Sequence, residues 1–278
     1  MRFGGPLFGN VADPEAWVAA LQRKGFRAAY CPLSDARDAD AVNAFRGAAE
    51  KADIVIAEVG AWSNPISPDE HERGKALERC RERLALADQI GARCCVNIAG
   101  SRGKKWDGPH ADDLTPETFE LIVDSVRSII DAVRPSRTFY ALETMPWMYP
   151  DSADNYVELI KAVDRPRFAV HFDAANLICS PQRYFYNGAL IREFCEKLGP
   201  LIRSCHAKDV LLADRLTVHM DEVRPGLGGL HYCVFLRELA KLHPDTPLML
   251  EHLATEDEYD AAAAHIRSVA REVGVNIG

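Results

Sequence analysis

Short apolar runs rich in β-branched and aromatic residues alternate along the chain with longer segments of helical periodicity. The alternation repeats eight times, and the runs predicted to be strands are residues 2–8, 27–33, 53–60, 93–100, 138–146, 168–176, 202–210 and 247–253. Amphipathic segments predicted to be helices include residues 14–25, 76–91, 115–133 and 256–274. Thr115 before Pro116 is a good N-cap, and Gly91 and Gly274 are good helix stops.

Eight strand-helix units in 278 residues predict a single (β/α)8 TIM barrel. A doubly wound open sheet is the alternative, but no GxGxxG motif follows the first strand. No Ser-, Gly- or Pro-rich linker divides the chain, so we expect one domain over residues 1–278. The longer connections, residues 61–75, 101–114, 177–187 and 211–230, all follow strands, which in a barrel is the face that carries active sites.

Composition and charge narrow the class of protein. Hydrophobic residues make up 47% and charged residues 27% of the chain, as in globular proteins. The formal charge is -8 and the basic residues are scattered, which argues against nucleic acid as a partner. No signal peptide or membrane-spanning run is recognisable, so we expect a cytoplasmic protein that does not bind membranes. The eight cysteines include no CxxC pair and are expected to be reduced structural thiols.

The stretch FAVHFDAANL, residues 168–177, places His171 and Asp173 on the same face of an otherwise apolar strand. Other ionisable or amide side chains fall near the ends of the remaining strands: Glu58, Asn97, Glu143, His206, Lys208, Glu251 and His252. Burying so many such groups without partners would cost too much free energy, so a bound cation is the simplest compensating charge.

Four consecutive strands each offer one potential ligand at comparable depth, namely Glu143, Asp173, His206 and Glu251. Three carboxylates and one imidazole suit Mn²⁺ or Mg²⁺, with Co²⁺ or Zn²⁺ as alternatives. His171 is then either a group that orients an acidic ligand through a hydrogen bond or an ordinary core histidine.

The segments ALE (141–143), HFD (171–173), HAKD (206–209) and LEH (250–252), together with residues 82–100, resemble the xylose isomerase-like superfamily of TIM barrels, in its sugar phosphate isomerase/epimerase branch. The resemblance covers essentially the whole chain. It implies one divalent metal held by Glu143, Asp173, His206 and Glu251, with Glu143 and Glu251 also acting as acid and base. The metal would polarise a substrate carbonyl and a neighbouring hydroxyl, and the two glutamates would move a proton through a cis-enediolate.

Two positions depart from the pattern of this branch. Asn176 stands where family members commonly have histidine, and an amide cannot donate a proton at neutral pH. Leu212 stands where epimerases often have arginine, with Arg215 as the nearest replacement. Both departures weaken the assignment to a standard free-ketose 3-epimerase.

Further side chains are candidates for contacting the substrate or for holding the metal ligands in place through hydrogen bonds. Trp62, Trp106 and Trp147 follow strands and either stack on a sugar ring or pack on the barrel rim. The remaining candidates are Glu58, His71, Asn97 and Lys208, together with His231 in the glycine-rich loop 224–232.

The sequence thus predicts a metal-dependent sugar isomerase or epimerase, with a homodimer or homotetramer implied by the family. One alternative is a dehydratase or lyase that uses the same metal and base on a keto-sugar or keto-glycoside. A second is a non-catalytic metal- or sugar-binding barrel. A DNA repair nuclease, which also has relatives in the superfamily, is disfavoured by the ligand inventory and the charge.

Overall fold

A computed structural model describes residues 1–9, 11 and 13–278. Within them, eight parallel strands close into a barrel and two further strands pair as a separate antiparallel hairpin. In chain order the strands are β1 (Arg2–Gly4), β2 (Ala28–Tyr30), β3 (Val55–Gly60), β4 (Cys94–Asn97), β5 (Tyr140–Glu143), β6 (Phe168–Asp173), β7 (Ile202–Ala207), β8 (Asp209–Ala213), β9 (His219–Val223) and β10 (Pro247–Leu250). The predicted (β/α)8 barrel is confirmed.

Each barrel strand is followed by at least one helix that packs on the outside. The α-helices of the described residues are α1 (Pro14–Lys24), α2 (Ala39–Lys51), α3 (Glu70–Ile90), α4 (Pro116–Val133), α5 (Ala153–Val163), α6 (Pro181–Phe185), α7 (Asn187–Leu198), α8 (Tyr232–Leu239) and α9 (Glu256–Glu272). As predicted, Thr115 caps α4, accepting a hydrogen bond from the backbone N–H of Thr118, and Gly91 ends α3 at a φ of 77°.

Once the hairpin is set aside, the strand order around the barrel follows the chain, and β10 closes on β1. Between β6 and β7 the register shifts: Val170 lies opposite Ile202, but the next residue, His171, lies opposite Ser204. The extra residue on β7 is a β-bulge, and it brings His206 opposite Asp173.

The hydrophobic core lies mainly between the strands and the helices. Phe172 of β6 stacks on Phe194 of α7, with ring centroids 4.0 Å apart. The Tyr156 hydroxyl of α5 lies 2.6 Å from the carbonyl oxygen of Leu142 and 2.9 Å from that of Ala169, tying the helix layer to β5 and β6. The apolar side chains of β6 therefore face the helices, and its polar side chains face the barrel interior.

The main difference from the sequence prediction lies after β7. The sequence predicts that the seventh strand extends to residue 210 and is followed by a long connection over 211–230. It ends instead at Ala207, and residues 209–213 and 219–223 form the hairpin β8–β9 above the barrel mouth. Leu212 and Arg215 therefore lie on the hairpin, where Arg215 is exposed at the turn.

The described helices include none with the length and hydropathy that a bilayer span requires.

Candidate active site

A tight cluster of acidic groups and one imidazole lies at the carboxyl ends of neighbouring barrel strands. Ligand-capable atoms of Glu143, Asp173, His206 and Glu251 all lie within 4.8 Å of one another. Glu143 and Asp173 are the last residues of β5 and β6, His206 is the penultimate residue of β7, and Glu251 follows β10 directly. Strand tilt brings these positions to one level of the barrel.

Local hydrogen bonds hold the first two carboxylates in place. The Thr144 hydroxyl lies 3.0 Å from the backbone N–H of Asp173 and 2.8 Å from its carbonyl oxygen, so it locks the ends of β5 and β6 together. The backbone N–H of Asn176 donates to Asp173 Oδ1 at 3.0 Å, and Asn176 Nδ2 donates to Glu143 Oε1 at 3.1 Å. Asn176 therefore orients both carboxylates.

His206 connects this cluster to a second, deeper group of polar side chains. Its Nδ1 faces the acidic cluster, 3.2 Å from Glu143 Oε1 and 3.0 Å from Glu251 Oε2. Its Nε2 lies 3.1 Å from Glu58 Oε1, and the other oxygen of Glu58 lies 2.8 Å from His171 Nε2. A carboxylate behind the imidazole fixes the ring and places the Nε2 proton on the side of Glu58.

Contacts within this second group shift the pKa values of Glu58 and His206 so that both charged forms are favoured. Burial alone would raise the pKa of Glu58, but the charges of His206 and His171 and their hydrogen bonds lower it to about 2. Burial likewise disfavours a charged imidazole, yet the carboxylates of Glu251 and Glu58 hold the pKa of His206 well above its usual value.

Lys208 is a buried cation inside the acidic cluster. Its Nζ lies 3.0 Å from Asp173 Oδ2, 2.8 Å from Glu251 Oε2 and 3.4 Å from Glu143 Oε1. Burial opposes its charge, but Asp173 and Glu143 outweigh burial and raise the pKa of Lys208 well above its ordinary value. The ammonium partly neutralises three carboxylates that would otherwise repel one another.

The donor set fits a divalent metal ion. Asp173 Oδ2 and Glu251 Oε2 are buried oxygens that contact the Lys208 ammonium, but within the described structure neither has a hydrogen bond of good geometry. Both oxygens therefore keep lone pairs directed into the cluster. Two oxygen ligands on opposite sides of Mg²⁺ lie about 4.2 Å apart, so ligand atoms within 4.8 Å of one another are spaced as a single cation requires.

The cluster lies at the base of a cavity of about 510 Å³. Glu143, Asn176, Lys208 and Glu251 reach it from the barrel, and Glu222 reaches it from the hairpin β8–β9. Its other lining residues are Trp62, Ile98, Lys105, Trp106, Asp107, Met145, Pro146, Trp147 and His252. The volume is typical of small-molecule sites.

The other candidate residues from the sequence lie elsewhere. Asn97 is buried on the outer face of β4, where it bonds Ser63 and lies 3.4 Å from the Tyr140 hydroxyl. His71 is exposed at the start of α3, Arg215 at the hairpin turn and His231 at the start of α8. Among the described residues, none of these four lines the cavity that contains the acidic cluster.

Sequence reasoning missed the contribution of the hairpin. Glu222 lines the cavity and its carboxylate lies 3.3 Å from His252 Nδ1, while His252 Nε2 lies 3.4 Å from Glu251 Oε2. The alternation of apolar and polar residues over 218–221 is a signal for a strand there. Met145, just after β5, was likewise not singled out as a cavity residue.

Comparison with known proteins places this chain in a family. A family model described as "Xylose isomerase-like TIM barrel" matches residues 12–269. Among curated proteins, none matches the chain.

Solved structures share the fold at low sequence identity. A D-psicose 3-epimerase from Clostridium cellulolyticum H10, solved with D-tagatose, has a TM-score of 0.71 at 18% identity, covering 99% of this chain and 100% of that chain. A probable 3-DHS dehydratase from Bacillus anthracis has a TM-score of 0.70 at 15% identity, covering 97% and 99%. A xylose isomerase-like protein from Mycobacterium smegmatis, in complex with magnesium, has a TM-score of 0.64 at 18% identity, covering 95% and 90%.

The family model extends over almost the entire chain, and the closed barrel agrees with it. This protein therefore belongs to the family of xylose isomerase-like TIM barrels.

Proposed function

We propose that this protein is a divalent-metal-dependent isomerase or epimerase of a sugar or sugar derivative. The observation that carries the proposal is the convergence of Glu143, Asp173, His206 and Glu251 on one point at the base of a cavity. The resemblance of the fold to a sugar epimerase agrees with it.

The metal would be held by the same four side chains. When bound, a divalent cation supplies Lewis-acid polarisation of a ketone and the neighbouring hydroxyl, which makes the adjacent C–H acidic. Mn²⁺ and Mg²⁺ are the ions best suited to three carboxylates and one imidazole. Glu58 keeps the His206 ring oriented, with Nδ1 toward the cluster.

Two glutamates on different strands provide the acid and the base. One of Glu143 and Glu251 takes the proton from the carbon next to the ketone. The C–H electron pair forms a C=C bond while the π pair of the ketone moves onto its oxygen, which gives a cis-enediolate. The other glutamate returns a proton to the opposite face or to the neighbouring carbon. Asn176 holds Glu143 through the 3.1 Å hydrogen bond to Oε1, and the Lys208 ammonium lowers the cost of negative charge on the enediolate oxygens.

A dehydratase or lyase is the second candidate function, and the presence of an amide at Asn176 supports it. Proton abstraction by a glutamate is the same first step, but the enediolate then expels a β-substituent instead of being reprotonated. Asn176 stands 3.1 Å from Glu143, where an amide can hold a hydroxyl but cannot return a proton. A dehydratase shares the fold.

Solvent exchange distinguishes these reactions. The Mn²⁺-loaded protein is incubated with a panel of ketoses in D₂O and the products are analysed by NMR and mass spectrometry. We expect deuterium at C2 or C3 with no loss of water or aglycone. Glu251→Gln should reduce the exchange rate by at least about 10²-fold, because an amide cannot act as base.

The matched control is Glu72→Gln, which removes an exposed carboxylate of α3 by the same change and should leave exchange at the wild-type rate. If elimination products are detected instead, the protein is a dehydratase or lyase and the isomerase proposal is wrong. A protein that binds Mn²⁺ but exchanges no proton with any sugar would be a non-catalytic binding barrel, and both enzymatic proposals would be wrong.

A further inference from the structure

The cavity above the acidic cluster has two chemically different walls. The carboxylates, Lys208 and Asn176 form its polar end, while a large part of the remaining wall is apolar. In that wall, Ile98 and Met145 are almost fully buried and pack with Trp62 in one hydrophobic cluster. The apolar wall is therefore an extension of packed core, and it is fixed in shape before any ligand binds.

Two tryptophans from different loops complete this wall. Trp106 follows β4 and Trp147 follows β5, and each side chain is 38% exposed. Trp147 is held in place, because its Nε1 donates to the carbonyl oxygen of Asp107 at 3.1 Å. The two indoles offer flat apolar surface to the same cavity that the acidic residues line.

The cavity is larger than a single sugar ring requires. A hexose has about twelve heavy atoms and, even at the roughly 30 Å³ that each water takes in the liquid, would fill less than about 360 Å³. The cavity measures about 510 Å³. A second cavity of about 400 Å³ shares Pro146, Trp147, Asn176 and Glu222 with it, and its other walls include Ile178, Cys179, Val218 and Met220. This neighbouring cavity therefore presents further apolar side chains next to the first one.

A second sugar is a poor occupant of the apolar side of this cavity, which lies apart from the polar groups of Glu222 and His252 in the same wall. Sugar hydroxyls that lose water must find new hydrogen-bond partners, and unpaired ones cost free energy. Ile98, Met145 and Pro146 offer no side-chain donor or strong acceptor. A flat ring without hydroxyls, in contrast, gains from contact with the indoles and the thioether.

We propose that the substrate is a keto-glycoside or a similarly substituted keto-sugar, whose aromatic substituent rests against Trp106, Trp147 and Met145 while the sugar ring faces the acidic cluster. The proposal rests on the function proposed above, because the acidic cluster determines which end receives the sugar. It names the substrate class of that same site.

Binding of matched ligand pairs tests the proposal without catalysis. Phenyl and methyl β-glycosides of D-glucose, D-galactose and D-mannose, which carry no ketone and therefore do not react, are titrated into the Mn²⁺-loaded wild-type protein by calorimetry. At least one phenyl glycoside should bind about tenfold more tightly than its methyl counterpart, because the ring buries apolar area against the wall. Equal affinities within every pair, or no measurable binding of any phenyl glycoside, would overturn the proposal.

Variants locate the preference within the cavity. Trp106→Ala should remove most of the phenyl advantage, and Trp106→Phe should restore much of it while showing that the loop still folds. Phe185→Ala, which removes an aromatic side chain that is 71% exposed on α6, is the control and should leave the advantage intact. An advantage that survives Trp106→Ala and Trp147→Ala together would place the aromatic group elsewhere and contradict the proposal.

The two proposals fail in distinguishable ways. A phenyl preference without any solvent exchange in the wild-type protein would leave the aromatic subsite standing and would overturn the isomerase function. Exchange into free ketoses without a phenyl preference would support the isomerase function and would overturn the aromatic subsite.

Discussion

Glu58 contacts two histidines at once, and this makes it the most consequential buried residue outside the proposed ligand set. One of its oxygens lies 3.1 Å from His206 Nε2 and the other lies 2.8 Å from His171 Nε2, with all three side chains almost fully buried. The two rings are 4.1 Å apart, centroid to centroid, so each also restrains the other. One carboxylate, on the side of the ring away from the cluster, thus sets the orientation of the imidazole in the proposed ligand set.

Replacing Glu58 with glutamine should weaken metal binding. Loss of the charged acceptor leaves the His206 ring less well oriented and less basic, and such outer partners are typically worth about 10- to 100-fold in metal affinity. Competition with a chelating dye measures the Kd for Mn²⁺. Glu72→Gln, an exposed glutamate of α3 bonded to Lys75, is the control, and an unchanged Kd for Glu58→Gln would contradict the role assigned to Glu58.

At the scale of elements, the hairpin β8–β9 and the loop that follows it are joined by one aspartate. The buried carboxylate of Asp209 accepts hydrogen bonds from the backbone N–H groups of Gly226, Gly228 and Leu230, at 2.9 to 3.1 Å. These bonds hold residues 224–230 against the hairpin that carries Glu222 to the cavity. The glycine-rich loop is thus tied down by its own backbone donors.

Asp209→Asn should loosen this loop locally. The amide supplies only one acceptor oxygen, and its NH₂ group would face backbone N–H donors, so at least one buried donor loses its partner, at a cost of about 1–3 kcal/mol. Hydrogen exchange of Gly226 and Gly228 should become faster, with little change in the barrel strands. Asp214→Asn at the exposed hairpin turn is the control. Unchanged exchange at both glycines would show that Asp209 does not hold the loop.

A second aspartate joins α3 to the segment that leads into β5. Asp88 Oδ1 accepts from the backbone N–H groups of Ser136, Arg137 and Thr138 at 2.8, 2.6 and 3.0 Å. Partial burial raises the pKa of Asp88, but these hydrogen bonds, led by that from Arg137, outweigh it and lower the pKa overall.

Asp88→Asn should therefore have a pH-dependent effect on stability. A carboxyl group whose pKa is lower in the folded state stabilises the protein above its unfolded pKa of about 3.9, and this contribution is lost as the pH falls through the folded pKa. Urea unfolding at pH 7 should show a loss of about 1–2 kcal/mol in the variant. The difference from wild type should shrink as the pH falls below about 4, and a difference that grows with acid would contradict the assignment.

At the scale of the whole molecule, stability and metal binding are linked through the charge in the barrel mouth. Three carboxylates share one short-range cluster, and Lys208 is the buried ammonium that contacts all of them. In the metal-free protein this lysine is an important counter-charge for the cluster, alongside the His206 imidazole. A divalent cation bound to the same oxygens would further neutralise the three carboxylates and so stabilise the folded protein.

Lys208→Met should make folding depend more strongly on metal. Without the ammonium, the metal-free protein should lose about 3 kcal/mol in its free energy of unfolding, because the three carboxylates lose one of the two buried cations that contact them and keep only the His206 ring. Urea unfolding with EDTA and with Mn²⁺ measures the difference, and Mn²⁺ should stabilise the variant more than the wild type. Lys241→Met, which removes an exposed lysine of a surface ion pair, is the control. A metal-free variant as stable as wild type would show that Lys208 is not needed as counter-charge.

The barrel and the four-residue cluster follow from patterns that are local in sequence. Apolar runs separated by amphipathic segments determine the strand-helix alternation, since a strand alternates its side chains and a helix repeats every 3.6 residues. Glu143, Asp173, His206 and Glu251 stand out because a carboxylate or imidazole in an apolar strand needs a partner. The structure brings these four together, and it also places Asn176, Lys208 and Trp106 at the cavity.

Other features depend on contacts that no local pattern encodes. The register shift between β6 and β7, which sets His206 opposite Asp173, depends on how two strands distant in sequence pack. Asn97 also lies at the end of a strand, yet its side chain faces α3. A shift of one residue along a strand turns a side chain from the barrel interior to the helix layer. The hairpin β8–β9 likewise forms only when its two strands meet above the barrel.

The amino-acid sequence by itself therefore determined the succession of elements, the closed barrel and the kind of chemistry gathered at its carboxyl end. Only the tertiary structure decided which polar residues face inward, that Lys208 and Glu58 support the cluster from two sides, and that an apolar wall continues beyond it. The physical reason is that periodicity acts between near neighbours along the chain, whereas side-chain contacts and cavity shape arise from the packing of segments that are far apart in it.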